Sequence, residues 1–220
     1  MNKFIAFTLA ETLIVMGIIG VVATLTLPNL NSSTGEKEKV AKVKKIYSNL
    51  NDAMGRAIAV YGPFGEWTLN DSTNEAKVKR VGERLTEFMK VSKNCGTNST
   101  QTCVSSDYSN SNYYKFINAD GSSIAIGNNY WRIIVDIDGA NKGANNRNAG
   151  KEIFSFNISD SGEIIPGGTD YLSSSVPLFL VSRCNPGTNA YECTAWVIQY
   201  DNMDYLKCHD SLSDNKTSCK

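Results

Sequence analysis

Residues 7–27, FTLAETLIVMGIIGVVATLTL, constrain the chain more than any other stretch. They are almost wholly apolar and contain one charge, Glu11. As an α-helix they would be about 31 Å long, close to the thickness of a bilayer's hydrocarbon core. The acid needs a physical account, because a carboxylate at the centre of a bilayer costs about 2.5–3.5 kcal/mol on insertion scales and less near the interface. One account is an acid tolerated near the end of a simple anchor. A secretory signal peptide would instead have a short apolar core and a small-x-small cleavage site, for which Val22-Ala23-Thr24 is a weak candidate. The apolar run continues through Leu25 and Leu27 and a helical pattern resumes soon after, so retention of the segment is expected.

Before this run stands MNKFIA, short, with one lysine and a small last residue. The pattern KFIA-FTLAETLIVMGIIGVVA resembles the N-terminus of type IV pilins and type II secretion pseudopilins. That resemblance implies a cut by a prepilin peptidase between Ala6 and Phe7, which makes Glu11 the fifth residue of the mature chain. The family usually has glycine before the cut, and this chain has the equally small alanine. The resemblance also implies that the N-methylated amine of Phe7 pairs with the Glu11 of a neighbouring subunit and sets the stagger of a filament. Pro28 stands where the family commonly carries proline.

The 220 residues suffice for one such helix and one domain of about 150–190 residues. The 22 basic and 22 acidic residues balance, and loss of the leader removes only Lys3. No nucleic-acid partner follows from that charge. All six cysteines, Cys95, Cys103, Cys184, Cys193, Cys208 and Cys219, lie outside the apolar run. An even count confined to one region reads as disulfides in an oxidising compartment. Of about fifteen pairings, the short spacings favour Cys95–Cys103, Cys184–Cys193 and Cys208–Cys219. The rival is a zinc site, which fits poorly with one histidine and no C-x-x-C pair. Lys37, Lys39, Lys42, Lys44 and Lys45 would by the positive-inside rule lie in the cytoplasm. The cysteines and the leader point outward and are given precedence.

Proline at 28 kinks or ends a helix, and residues 29–35 could be a break before a second helix capped at Ser33 or Thr34. From 36 to 61 the apolar positions Val40, Val43, Ile46, Tyr47, Leu50, Ala53, Met54, Ala57, Ile58 and Tyr61 recur at spacing three and four, as on one face of a helix. Gly62-Pro63-Phe64-Gly65 ends it. Ser72-x-x-Glu75 suggests a capping box for a helix over 75–91 with Val78, Val81, Leu85 and Phe88 inward. A polar cysteine loop, 95–112, follows. Strands are expected at 113–118 and 122–126 around the turn Ala119-Asp120-Gly121, then at 130–137, 152–158 and 194–200.

Chemistry has one candidate locus. In Asp136-Ile-Asp138-Gly139-Ala-Asn141 the oxygen side chains alternate, as a calcium loop requires, and by analogy some secretion pseudopilins hold a structural calcium in this part of the fold. The spacing is not that of an EF-hand; Glu152 is the nearest substitute for its bidentate acid. The plain alternative is an Asn/Gly-rich connection bonding its own backbone. His209 beside Cys208, and the acids Asp201, Asp204 and Asp210, read as loop and edge residues. Trp67, Trp131 and Trp196 read as core, with stacking on a sugar as the rival. No phosphate loop, nucleophile elbow or dinucleotide fingerprint occurs, so no enzyme is expected.

The expected fold is α+β and pilin-like: a long N-terminal helix, half transmembrane, packed on a C-terminal antiparallel head with disulfide-pinned loops. The expected divisions are a leader at 1–6, a transmembrane and assembly helix at 7–27, its exposed continuation at 28–61, and a head at 62–220. The expected function is a structural subunit of a type IV pilus or type II secretion pseudopilus. A minor pilin acting as a surface adhesin or DNA-uptake module is the alternative. The implied partners are other pilins or pseudopilins, the prepilin peptidase, the inner-membrane assembly platform and membrane lipid. The implied location is the bacterial inner membrane, single-pass, with the head extracytoplasmic, or a surface filament. Mass spectrometry of the mature chain should find methylated Phe7 as its first residue; an intact Met1 in cells that carry a prepilin peptidase would contradict this.

Overall fold

A computed structural model describes residues 9–101, 103–104, 108–127, 131–139, 149–170, 178–179, 181–188, 190–213 and 215–219, with the side chains of 23–34, 170, 178–179 and 181 excepted. The chain divides into two compact units, Met1–Glu38 and Lys39–Lys220.

Helix α1 (Leu9–Tyr61) begins in the first unit and ends in the second. Its backbone is helical through Pro28 and through 29–35, where a break was one of two possibilities. Every residue from 9 to 22 is exposed. Among the described residues no helix is long and apolar enough to cross a membrane. This corrects the expected pilin-like fold with its half-transmembrane helix. The charged run Glu36-Lys37-Glu38-Lys39 lies further along the same helix.

The second unit is built on a sheet. Strands β1 (Val91–Gly96), β2 (Tyr113–Asn118), β3 (Ser123–Gly127), β4 (Arg132–Asp136), β5 (Ile153–Ile158) and β6 (Ile164–Pro166) lie in chain order, each antiparallel to the next. The turn between β2 and β3 is the one the sequence indicates: Gly121 has φ +83°, and Asp120 Oδ1 accepts from the Ser122 amide at 3.0 Å. Along the strands Phe116, Ile124, Ile126, Ile133, Val135, Phe154 and Phe156 enter one core with the α1 stripe Val40, Val43, Ile46, Leu50, Ala53, Met54 and Ala57. Tyr47 stacks on Phe156 with ring centroids 5.7 Å apart. The alternate residues Ala125, Ile134 and Ile153 enter a second core with Val104 and the Cys95–Cys103 disulfide. Both faces of the central strands are therefore covered, which is why they read as nearly continuous apolar runs.

Helix α2 (Asn74–Thr86) packs Val78, Val81, Gly82 and Leu85 inward. Its cap is Thr73, whose side chain accepts from the Ala76 amide at 3.1 Å, one residue after the expected Ser72. Asp71 receives two bonds from Arg80, at 2.6 and 2.8 Å. The segment 194–200, expected as a strand, is instead α3 (Thr194–Tyr200), followed by the single turn α4 (Tyr205–Cys208). A short run of apolar residues has no period to separate strand from helix; here Thr194, Ala195, Trp196 and Val197 are all buried. Strands β7 (Thr169–Asp170) and β8 (Leu178–Phe179) make a separate ribbon. The three disulfides join Cys95 to Cys103, Cys184 to Cys193 and Cys208 to Cys219. They are the pairs that the spacings favour, and they fit an extracytoplasmic compartment.

Lys115 is fully buried, and its ammonium donates to the carbonyls of Ser109 and Asn110 at 2.8 Å and of Thr97 at 3.3 Å. Burial pushes its pKa down, while the charge of Glu75 pulls it back.

Two glycines predict opposite signs. A Cβ on Gly82 would sit 2.1 Å from the Tyr114 ring, whereas one on Gly55, exposed on α1, would meet nothing within 4 Å. Gly82→Ala should lower stability by about 1–3 kcal/mol through overpacking, and Gly55→Ala should raise it by about 0.5–1 kcal/mol through helix propensity. Chemical denaturation of both variants checks this.

Candidate functional site

The apolar segment of α1 exposes Leu9 (78%), Leu13 (65%), Ile14 (63%), Met16 (70%), Ile18 (60%) and Val22 (53%). Ala, Leu and Met favour the helix, and tertiary contacts do not cover it. Gly17 and Gly20 have open space where a Cβ would be. Gly17 lies in a shallow apolar groove with Ile14, Ile18, Val21 and Val22. Glu11 is exposed in the first turn, where the helix dipole favours a carboxylate. Ala6 and Phe7 lie outside the described residues, as does the side chain of Pro28.

The 136–141 locus is divided. Asp136 ends β4 and is buried, with Oδ1 accepting from the Asp138 amide at 3.1 Å. That local bond is the one expected of a side chain serving its own backbone. Among the described residues its Oδ2 and the Ser123 hydroxyl across the strand pair are buried without a hydrogen-bond partner. Both residues line a small void with Val104, Tyr108 and Ile134. Burial pushes the Asp136 carboxyl above its ordinary range, bonds from the amides of Asp138 and Gly139 oppose this, and the charges of Asp138 and Glu152 add to the rise. Asp138 is half-buried, Asn141 lies outside the described residues, and Glu152 pairs with Lys39 at 3.4 Å. Among the described residues no group of three or more His, Cys, Asp or Glu is arranged to hold a metal.

The C-terminal acids are engaged in structure. Asp201 pairs with Lys44, and Asp204 Oδ2 accepts from the Cys219 amide at 2.8 Å. Asp210 lies 3.2 Å from His209 Nδ1, and the other ring nitrogen of His209 is 2.8 Å from the Cys184 carbonyl. Trp67 and Trp196 are buried in the core. Trp131 is only half-buried, and it has φ +47°.

Trp131 borders a cleft of the second unit that has mixed chemistry. This cleft has a volume of about 550 Å³ and is lined also by Arg132, Asn157, Asp160, Arg183 and Glu192. Sequence reasoning missed every one of these except the tryptophan. The paired strand positions Arg132 and Asn157 sit on the sheet face opposite α1. That alternation is visible in YWRIIVDI and EIFSFNI; the approach of residues 167–169, 183 and 192 to the same face is not.

Residues 29–164, more than half of the chain, match the family described as "Family of unknown function (DUF6613)", and the chain belongs to it. No curated protein and no solved structure is significantly similar to it.

The buried carboxyl of Asp136 gives a signed prediction. Its pKa is raised by folding, so its contribution to stability is complete below the ordinary carboxylate pKa and is lost as pH rises through the raised value. Asp136→Asn should therefore be more stable than the parent at neutral pH, by about 1 kcal/mol, and the difference should vanish as pH falls below about 4. Thermal melts across pH measure this. A destabilised variant, with a parent whose melting temperature falls on adding a chelator, would point to the calcium arrangement instead.

Proposed function

We propose that this chain, as a member of that family of unknown function, is a structural subunit that assembles through residues 9–22 of α1, in the manner of a pilin or pseudopilin. One observation carries the reading: a helical segment whose large apolar side chains are all exposed in a single copy. Apolar surface of that extent marks an interaction site. Copies of the same segment suit it better than lipid alone, because Glu11 lies within it. A carboxylate carried into an apolar bundle needs a cation beside it, and a cut between Ala6 and Phe7 would create an amine for that role on each neighbour. Open space at Gly17 and Gly20 lets such helices approach closely.

The disulfides support export, so the second unit would be the exposed head. In this reading the chain is exported, meets a prepilin peptidase and an assembly platform, and then joins like subunits. It is not an enzyme; its work is packing. No side chain of the head has to reach a substrate for that work.

Glu11→Ala should leave export and disulfide formation intact while lowering assembled subunit by more than about tenfold, the scale for a buried charge that loses its partner. Sedimentation of sheared material, with cross-linking between residues 9–22 of neighbouring copies, measures it. Filaments in normal amount would refute the reading.

A further inference from the structure

We propose that the head carries a binding site for a neutral pyranose sugar, in the cleft beside Trp131. The cleft belongs wholly to the second unit, and the inference does not depend on how the chain assembles.

The volume of about 550 Å³ lies within the range of small-ligand sites, about 300–1,000 Å³. Its walls are held in place. Gly167 donates from its amide to the Ser155 carbonyl at 2.8 Å, and its carbonyl accepts from the Ala195 amide at 2.8 Å. A Cβ on Gly167 would lie 2.2 Å from Ser155 Oγ, and one on Gly168, at φ +99°, would lie 1.9 Å from the Glu192 carbonyl oxygen. Only glycines allow this crossing to press against residues 191–192 and leave the space beside it open.

Trp131 lines the cleft and is half-buried. It adopts a left-handed backbone conformation that bulky residues rarely take. Its ring meets Phe64 edge-on at 5.5 Å, and Phe64 in turn meets Trp67 at 5.2 Å. The orientation is thus supported from the core while part of the residue remains accessible. Strain of this kind collects where a side chain must be presented.

The polar lining selects the ligand class. Arg132 and Arg183 bring donors, Asp160 and Glu192 bring acceptors, and Asn157 brings both. The two arginines and the two acids balance, so the cleft has no net charge that would select a phosphate or a carboxylate. Hydroxyl groups, which donate and accept at once, match such a mixture, and the C–H face of a pyranose ring matches an indole.

The test uses the full chain, isotope-labelled, in a detergent without a sugar headgroup. D-Glucose, D-galactose and N-acetyl-D-glucosamine are titrated while the three indole N–H resonances and the Asn157 side-chain amide are followed by NMR, with inorganic phosphate in parallel. At least one sugar should shift the Trp131 and Asn157 signals saturably and leave Trp67 and Trp196 unmoved. Trp131→Phe should retain the Asn157 shift. Arg132→Ala, at an exposed position, should weaken it by about tenfold, the loss of a charge-assisted hydrogen bond. No shift with any of the three sugars, or a shift with phosphate alone, overturns the proposal.

Discussion

The second unit depends on the burial of one helical stripe against one sheet face. From Val40 to Ala57, α1 offers an apolar side chain every three or four residues, and the strands answer with Ile124, Ile126, Ile133, Val135, Phe154 and Phe156. Each fully buried aliphatic or aromatic side chain contributes about 1.5–3 kcal/mol. The stripe and the strand face together therefore far outweigh the contribution of any surface ion pair in the molecule. Because the stripe begins at Val40, the compact unit begins at Lys39, well inside α1, rather than where the helix ends.

The opposite sheet face is held differently. Its apolar cluster is small, and it is completed by the Cys95–Cys103 disulfide, Val104 and a loop drawn inward by the Lys115 ammonium. A lysine that gives three hydrogen bonds to backbone carbonyls satisfies a loop that has little apolar surface of its own. Towards the other end of the same face, the segments around Gly167 and Cys193 lie over Ser155, and the cleft beside Trp131 opens between them. A covalently pinned, polar-lined face and a helix-covered apolar face thus share one sheet.

Much of this could be read before the structure. The stripe of α1, the β2–β3 turn at Asp120-Gly121 and the pairing of near-neighbour cysteines each rest on spacing along the chain, and spacing is a local property. The errors also have local causes. Residues 194–200 are rich in β-formers, yet they form a helix that docks through Thr194 and Trp196: Ser155 donates its amide to the Thr194 hydroxyl, and Trp196 donates to Asn202. Strand β1 carries mostly exposed side chains and two register irregularities, so it leaves no alternating signature. The apolar run at the N-terminus suggested a membrane span, which no described helix is long and apolar enough to make.

Residue order by itself determined which segments are amphipathic, which cysteines can meet, and that one apolar helix would need a cover; these follow from periods of two and about 3.6 and from short loops. The three-dimensional fold alone decided that Asp136 is buried rather than presented in an open loop, that Trp131 differs from Trp67 and Trp196 in exposure, and that Arg132, Asn157, Arg183 and Glu192 share one cleft. Those facts depend on contacts between residues far apart in the chain, set by how strands order and how loops cross them, and no local pattern encodes such distances.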